Sequence, residues 1–222
     1  MNPLVCFGNV YDNEQVIEGF NNLPCDKLRM DYVKSPKQFL KAQEFFLNHK
    51  EYTHFVYLAP DLIINNSQFQ ALKQNVKDNK VYGPILNVNK LKYYDKIECC
   101  VNLPTLEFFS RQYRWIAAES RIYFLEHNII ELKVKYNALA FCFIKRKILE
   151  NYKFTEIPYA VKQKPLWEAE QGYAVDLAFC HYCDFKEIDL IVNLNIKLKH
   201  ANPSKNYVGI KKEKIEFIKW QK

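Results

Sequence analysis

An aspartate stands in this sequence where an α/β protein would bind a ligand. Asp61 follows the apolar run Phe55-Val56-Tyr57-Leu58, which stops abruptly at Ala59-Pro60. Pro60 restricts the backbone of the turn, so the pattern predicts a carboxylate at the carboxyl end of a buried strand. Ligands of open parallel sheets bind beyond that end of the strands. Asp61 is therefore a candidate for ligand chemistry, and the alternative is that it only terminates the strand.

Two other polar residues occupy comparable positions. Asp176 is predicted in the first turn of a helix over 174–183, where a carboxylate also favours the positive end of the helix dipole without any catalytic role. His200 stands between Lys199 and Ala201, after a predicted strand over 188–194. For His200 the alternative interpretation is an exposed loop histidine. The chemistry of these residues depends on the elements that bring them together.

A third pattern could bind a metal. The run Cys180-His181-Tyr182-Cys183 has the CxxC spacing of zinc sites, but a structural zinc ion needs four ligands and the sequence contains no second CxxC. Cys180 and Cys183 would share a face of the predicted helix, which favours buried thiols over a metal site. Seven cysteines, an odd number spread along the chain, also fit reduced thiols better than a disulfide framework.

Glycine is scarce in this chain. The five glycines, at positions 8, 19, 83, 172 and 209, stand far apart. A phosphate loop and the GxGxxG fingerprint both need several glycines close together, because the backbone must approach the phosphates. These two kinds of nucleotide site are therefore excluded, and a diphosphate would have to be held by side chains and a cation.

The first half of the chain alternates strand and helix patterns. Strands are predicted over 3–10, 27–33, 53–58 and 81–88. Between them lie a helix over 13–20, a helix beginning at Ser35-Pro36 with an S-x-x-Q capping box, and a helix capped by Asn65 or Asn66. This rhythm predicts a mostly parallel sheet covered by helices on both faces.

The second half is less regular. Helices are predicted over 106–118 and 174–183, strands over 137–144 and 188–194, and 122–134 is ambiguous. The 222 residues are 49% hydrophobic and contain no repeat or linker. A single domain with a substantial core is the simplest prediction, and a disordered protein is excluded.

Most of the net charge lies near the C-terminus. The chain carries +7, and residues 197–222, with eight lysines and two glutamates, carry +6 of it. This charge predicts an anionic partner. Nucleic acid is disfavoured as this partner because no RNP, zinc-finger or recognition-helix pattern occurs. Solvated lysines beside a packed terminal element are the favoured explanation of the charge. Peripheral contact of the tail with anionic lipid stays open as an alternative.

No membrane or secretion signal is found in the sequence. The longest apolar run, 138–144, has seven residues, far fewer than the roughly 20 that cross a bilayer. The first residues lack the basic and apolar regions of a signal peptide. We therefore expect a cytoplasmic protein.

The order of these segments resembles the GT-A glycosyltransferases of the nucleotide-diphospho-sugar transferase superfamily, in the short form found in archaeal viruses. The strand ending at Ala59-Pro60-Asp61 is similar to the family's Asp-x-Asp strand. The family's order then continues with the strand 137–144 and Lys145-Arg146-Lys147, the segment 172–179, and His200. The resemblance implies one GT-A-like, Rossmann-like domain with a nucleotide-sugar half over about 1–90, an acceptor half with a small antiparallel portion over about 91–203, and a basic tail over 204–222.

The resemblance also implies roles for particular residues. Asp61 and His200 would hold Mn²⁺ or Mg²⁺, which stabilises the departing diphosphate. Asp176 would act as the catalytic base, or would orient the acceptor if the reaction retains configuration. Trp167 would stack on the acceptor sugar, although it could instead belong to the core. The residues expected around the base and ribose are Phe7, Asn9, Tyr11 and Asp31.

Two departures from the family pattern bear on activity. Ala59 replaces the first aspartate of Asp-x-Asp, and Tyr173-Ala174 replace Glu-Asp before Asp176. The resemblance implies a glycosyltransferase of the hexosyltransferase type. Such an enzyme moves a sugar from a nucleoside diphosphate-sugar to a hydroxyl of a glycan, lipid or protein, and it would act in the host cytoplasm if the protein is viral. The two departures leave open a metal-independent or inactive transferase. The alternative is a degenerate GT-A-like or other α/β binding module, whose basic tail binds nucleic acid or an acidic partner.

Overall fold

The computed structural model describes residues 1–33, 37–77, 80–88, 96–101, 115–137, 139, 141–154, 174–201 and 211–221. Trp167 and the predicted cap at Ser35-Pro36 lie outside these ranges. The strands are β1 (Pro3–Asn9), β2 (Asp26–Asp31), β3 (His54–Leu58), β4 (Leu62–Ile63), β5 (Lys80–Val88), β6 (Lys96–Val101), β7 (Trp115–Ala117), β8 (Glu131–Tyr136), β9 (Phe143–Lys145), β10 (Asp189–His200) and β11 (Lys214–Ile218). The helices are α1 (Glu14–Asn21), α2 (Lys37–Asn48), α3 (Asn66–Asn75), α4 (Ala118–Glu126), α5 (Arg146–Glu150) and α6 (Ala174–Phe185).

One sheet joins strands from both halves of the chain. Its order is β11-β2-β1-β3-β9-β5-β10-β8-β6-β7, and β4 pairs with the end of β10. Within the ranges described, β1 is parallel to β2 and β3, β5 is parallel to β10, and the remaining pairings are antiparallel. The sheet is therefore mixed, and the prediction of a mostly parallel sheet is wrong. The reason is that β9 enters between β3 and β5 in the opposite direction and that later strands add as antiparallel neighbours.

Five strands still end at the same edge of the sheet. Because β9 is antiparallel to both β3 and β5, the strands β1, β2, β3, β5 and β10 all run in one direction. We call the edge where they end the carboxyl edge. Asn9, Asp31 and His200 are the last residues of β1, β2 and β10, so this edge collects the polar strand ends.

Helices cover both faces of the sheet, as predicted. The alternation along β1 sends Leu4 and Cys6 into a core with α2, α5 and α6, and Val5 and Phe7 into a second core with α1 and α3. β1 is buried along its whole length, which explains its continuous apolar sequence. Among the helices described, none is long and apolar enough to span a membrane.

Local signals explain the helix starts of the first half. The Asn65 side chain accepts a hydrogen bond from the Gln68 backbone N–H (2.9 Å), and the Gln68 side chain accepts one from the Asn65 N–H (3.0 Å). This reciprocal capping box begins α3. Asn13 caps α1 through its side chain alone, by accepting from the Val16 N–H at 3.3 Å. Of the two caps predicted, Asn65 or Asn66, the structure uses Asn65.

Two predictions in the second half are wrong in part. Residues 115–117 form the strand β7 instead of the end of a helix. The predicted strand over 137–144 is reduced to β9, because Leu139 and Phe141 adopt left-handed backbone angles (φ 51° and 56°) that break an extended strand. The ambiguous stretch 122–134 contains the end of α4 and the start of β8.

Arg146, the first residue of α5, fastens this helix to the C-terminal end of α2. Its guanidinium donates to the carbonyl oxygens of Tyr52 (2.8 Å), Phe46 (2.8 Å), His49 (2.6 Å) and Leu47 (3.3 Å). It also lies over the Phe46 ring, 4.3 Å from the centroid. The last carbonyls of a helix have no i+4 partner within the helix, so Arg146 supplies a charged donor to carbonyls in the last turn of α2 and in the turn that follows it.

Candidate functional site

A polar cluster with a buried centre lies where β1 and β2 end. Asn9 is 1% exposed, and its side-chain N–H groups donate to the carboxylates of Asp31 (2.6 Å) and Asp12 (3.0 Å). Arg29 also donates to Asp31, at 2.8 Å. Asn9 therefore holds two carboxylates side by side at the carboxyl edge, and we call Asn9, Asp12, Arg29, Asp31 and Tyr32 the edge cluster.

The two loops of the edge cluster are tight and strained. Asp12 and Tyr32 both have left-handed backbone angles, with φ of 49° and 57°. Aspartate tolerates this conformation, but it is uncommon for a bulky residue such as tyrosine. Tyr32 is held there by two contacts, since its N–H donates to the Asn9 carbonyl (2.8 Å) and its hydroxyl to Asp12 (2.6 Å). Strain of this kind occurs most often at functional sites.

The basic tail reaches the edge cluster through one lysine. Lys211 Nζ donates to the Asp12 carboxylate (2.7 Å) and to the Tyr32 hydroxyl (2.8 Å), and lies 4.8 Å from the centroid of the Tyr32 ring. Burial raises the pKa of Asp12, but hydrogen bonds from Lys211, Tyr32 and Asn9 together outweigh burial and lower it. The hydrogen bond to Asp12 raises the pKa of Lys211.

Contact of the tail with the edge cluster should depend on pH. Because the pKa of Asp12 is lowered on folding, its stabilising effect is present above about pH 4 and is lost as the pH falls through the lowered value. Because the pKa of Lys211 is raised, its effect is present below about pH 10 and is lost as the pH rises through the raised value. We expect hydrogen-exchange protection factors of the β11 amides to be highest near neutral pH. Equal protection at about pH 3 and about pH 7, or an unchanged profile in Lys211→Gln, would contradict this expectation.

Asp61 and His200 lie on neighbouring backbone segments. The Ala201 N–H donates to the Asp61 carbonyl oxygen at 2.6 Å, and His200 stands opposite Leu62 in the antiparallel pairing of β4 with β10. Both side chains are partly exposed. The structure therefore places on adjacent backbone segments, near the ends of β3 and β10, two residues that are 139 positions apart in the sequence.

The donor set of Asp61 and His200 decides whether they could hold a metal. Within the described ranges no group of three or more His, Cys, Asp or Glu residues could hold a metal ion. Asp61 and His200 alone offer one carboxylate and one imidazole, a donor set that suits Mn²⁺ better than Mg²⁺. This set fits a divalent cation whose remaining ligands come from a diphosphate and water.

Asp176 lies in the first turn of α6 and is partly exposed. α6 packs through Val175, Phe179 and Cys180 into the core that it shares with α2 and α5. Burial raises the pKa of the nearby Tyr152, and the negative charge of Asp176 contributes to that shift. Asp176 therefore belongs to the α6 layer, whereas Asp61 and His200 lie on adjacent backbone segments at the sheet.

The other predicted contact residues have different surroundings. Phe7 is fully buried, and its ring packs on Phe20 with centroids 4.9 Å apart, so only its backbone is near the edge cluster. Tyr11 is partly exposed in the loop after β1. Trp167 lies outside the described residues, and its stacking role stays a prediction. Cys180 and Cys183 are buried free thiols, as the CxxC analysis favoured.

Sequence reasoning missed four members of this site. Asp12, Arg29, Tyr32 and Lys211 were not among the candidates, although Asp12 could have been suspected from its position in the polar turn between β1 and α1. No local pattern marks Tyr32. Lys211 was counted only as part of the tail charge, because a contact across 199 residues leaves no local signal.

Comparison with known proteins supports the fold but no activity. No protein-family model and no curated protein matches this chain. Among solved structures the chain is similar to A197 from STIV, with a TM-score of 0.55 and 15% sequence identity, over 92% of this chain and 96% of that one. At this identity the likeness shows a shared fold alone. The structural neighbour is an archaeal-virus protein, which agrees with the archaeal-virus part of the resemblance, but this comparison does not show the GT-A family.

Proposed function

We propose that this protein is a glycosyltransferase with a GT-A-like fold that moves a sugar from a nucleoside diphosphate-sugar to an acceptor hydroxyl. The observation that carries this proposal is that Asp61 and His200 lie on adjacent backbone segments at the carboxyl edge, the edge at which β1 and β2 end in the edge cluster. A carboxylate, an imidazole and the hydrogen-bonding groups of the edge cluster suit a ligand with both phosphate and polar ring portions.

The edge cluster would bind the nucleoside. The Asp31 side chain is 10% exposed, and its carboxylate is oriented by Asn9 and Arg29. A fixed carboxylate can accept hydrogen bonds from a base N–H or a ribose hydroxyl. Orientation by neighbours matters because a rigid site loses less entropy when the ligand binds.

Asp61 and His200 would hold a divalent cation at the diphosphate. When bound there, such a cation stabilises the negative charge that develops on the leaving diphosphate. Asp61 would contribute carboxylate oxygen and His200 imidazole nitrogen. This arrangement agrees with the scarcity of glycine, because it assigns phosphate recognition to side chains.

Asp176 would serve the acceptor. In an inverting reaction the acceptor oxygen forms a bond to the anomeric carbon while the bond from that carbon to the diphosphate oxygen breaks. The hydroxyl proton would pass to the Asp176 carboxylate, which is partly exposed in the first turn of α6. In a retaining reaction Asp176 would orient the acceptor instead.

Calorimetric titration of the full chain tests the proposal. UDP and GDP should each be titrated with and without Mn²⁺, and we expect at least one to bind, more tightly when Mn²⁺ is present. Asp176→Asn is the matched control, because it removes a charge outside the donor site and should leave nucleotide affinity unchanged. Failure of both nucleotides to bind, with and without metal, would refute the proposal.

A non-catalytic binding module is the second candidate. It is favoured by Ala59 and by the lack of a three-ligand metal group among the described residues. Charge pairing within the tail weighs against a nucleic-acid partner, because Lys211 and Lys214 already contact Asp12 and Glu216. A salt-dependent gel shift with RNA or DNA, together with no hydrolysis of any sugar nucleotide, would favour this candidate.

A further inference from the structure

The strand β11 forms one end of the sheet. It is antiparallel to β2, with Ile215 opposite Met30 and Phe217 opposite Leu28, and in the part of the chain that the structure describes it pairs with no other strand. A strand in this position has a row of backbone N–H and C=O groups that its own sheet does not use. Such an edge can pair with another strand.

The two faces of β11 differ in chemistry. Phe217 packs on Phe45 of α2, with ring centroids 5.3 Å apart, so Ile215 and Phe217 lie on the α2 face. Lys214 and Glu216 lie on the opposite face and form an ion pair of 2.6 Å. The side chains of Lys214, Ile215, Glu216 and Phe217 are all exposed. Charged and apolar side chains thus alternate along an open edge.

We propose that β11 pairs with β11 of a second copy of this chain, antiparallel and about a two-fold axis. If the sheet continues through the dimer, two residues directly opposite each other in the new strand pair must have their side chains on the same face of the sheet. This condition holds only in registers where the two-fold axis passes beside one residue, which then lies opposite its own copy; we call such a register centred on that residue. Centring on Lys214 or on Glu216 would place like charges directly opposite each other, which is destabilising.

The register centred on Ile215 is the complementary one. It places Lys214 opposite Glu216 of the partner subunit and, by symmetry, Glu216 opposite Lys214 of the partner subunit. Ile215, which is 43% exposed, then meets Ile215 of the partner subunit. The charges along β11 are therefore complementary to those of a second β11 in a single register. This self-complementarity favours a second copy of the chain over an unrelated peptide as the strand that pairs with β11.

Charge-exchange variants test this dimer. Sedimentation equilibrium of the full chain should show a reversible monomer–dimer equilibrium over a concentration series. Lys214→Glu and Glu216→Lys should each weaken self-association about tenfold or more, because each turns two attractive cross-strand pairs into two repulsive ones. Lys186→Glu, an exposed change elsewhere on the surface, should leave association unchanged.

The decisive measurement is an equimolar mixture of the two variants. In the mixed dimer the two acidic side chains of the Lys214→Glu strand would face the two basic side chains of the Glu216→Lys strand, so tight association should return. Neither variant regains the internal Lys214–Glu216 ion pair on mixing, so recovery cannot come from a repaired monomer. A wild-type chain that stays monomeric at every concentration, or a mixture that associates no better than either variant alone, would overturn the proposal. These outcomes do not depend on enzymatic activity.

Discussion

Asp61→Asn should lower sugar-nucleotide turnover by about a hundredfold or more, a loss typical of removing a group that stabilises developing charge. Asparagine has nearly the same shape but no charge, so it would bind a divalent cation poorly. The Asp61 carbonyl that accepts from Ala201 at 2.6 Å is a backbone group, and the substitution leaves it in place. Release of nucleoside diphosphate from a panel of sugar nucleotides with Mn²⁺ measures the effect.

Two controls separate the role of Asp61 from a general effect of charge. Asp184→Asn removes the same charge from an exposed position near the end of α6 and should keep wild-type turnover. His200→Ala should reproduce the loss seen in Asp61→Asn, and the double variant should be little worse than either, because the two residues would act as a unit. Wild-type turnover in a folded Asp61→Asn protein would contradict the assignment of Asp61 as a metal ligand.

Arg146→Ala should lower the free energy of unfolding by about 3 kcal/mol. The substitution leaves four carbonyl oxygens, two at the end of α2 and two in the segment after it, without their charged donor, and it removes the contact with the Phe46 ring at 4.3 Å. For a chain of this length the melting temperature should fall by about 6–12 °C. Urea denaturation followed by circular dichroism measures the change.

Neighbouring variants make this prediction specific. Lys147 is exposed beside Arg146, and Lys147→Ala should change stability by no more than about 0.5 kcal/mol. Arg146→Lys keeps the charge but has no planar fork with which to reach several carbonyls at once, so it should recover only part of the loss. If Arg146→Ala were as stable as Lys147→Ala, the fastening of α5 to α2 would contribute nothing to folding.

The first half of the fold could be predicted because its signals are local. The predicted strand over 3–10 is β1 (Pro3–Asn9), and the predicted strand over 81–88 is β5 (Lys80–Val88). Continuous apolar runs identify buried strands at such positions, and asparagine caps identify helix starts. These features depend on a few adjacent residues, so tertiary contacts did not override them.

The direction and neighbours of later strands could not be predicted in this way. The three residues of β9 lie between β3 and β5, and no property of Phe143-Ile144-Lys145 shows that they run opposite to both. Leu139 and Phe141 are apolar residues in left-handed conformations, which their types disfavour. The high charge of the tail obscures the alternation in 214–218, which is a strand pattern.

The site was predicted in part for the same reason. The end of an apolar run identified Asp61, because a polar residue after such a run is a local feature, whereas Asn9 and Asp31 were expected only from the family resemblance. The pairing of β4 with β10 that brings His200 to Asp61, and the contact of Lys211 with Asp12, join distant residues. Only the folded chain shows which strand ends are neighbours.

The position of β9 and β11 in the sheet bears on how the chain folds during synthesis. When the ribosome has made β1 to β5, the inner edges of β3 and β5 have no strand between them, and the outer edge of β2 is bare until residues 214–218 emerge. Pairings between strands so distant in sequence form slowly, and open strand edges associate with other chains meanwhile. A nascent chain of this protein therefore passes through a long interval in which chaperone protection of the β2 edge would matter most.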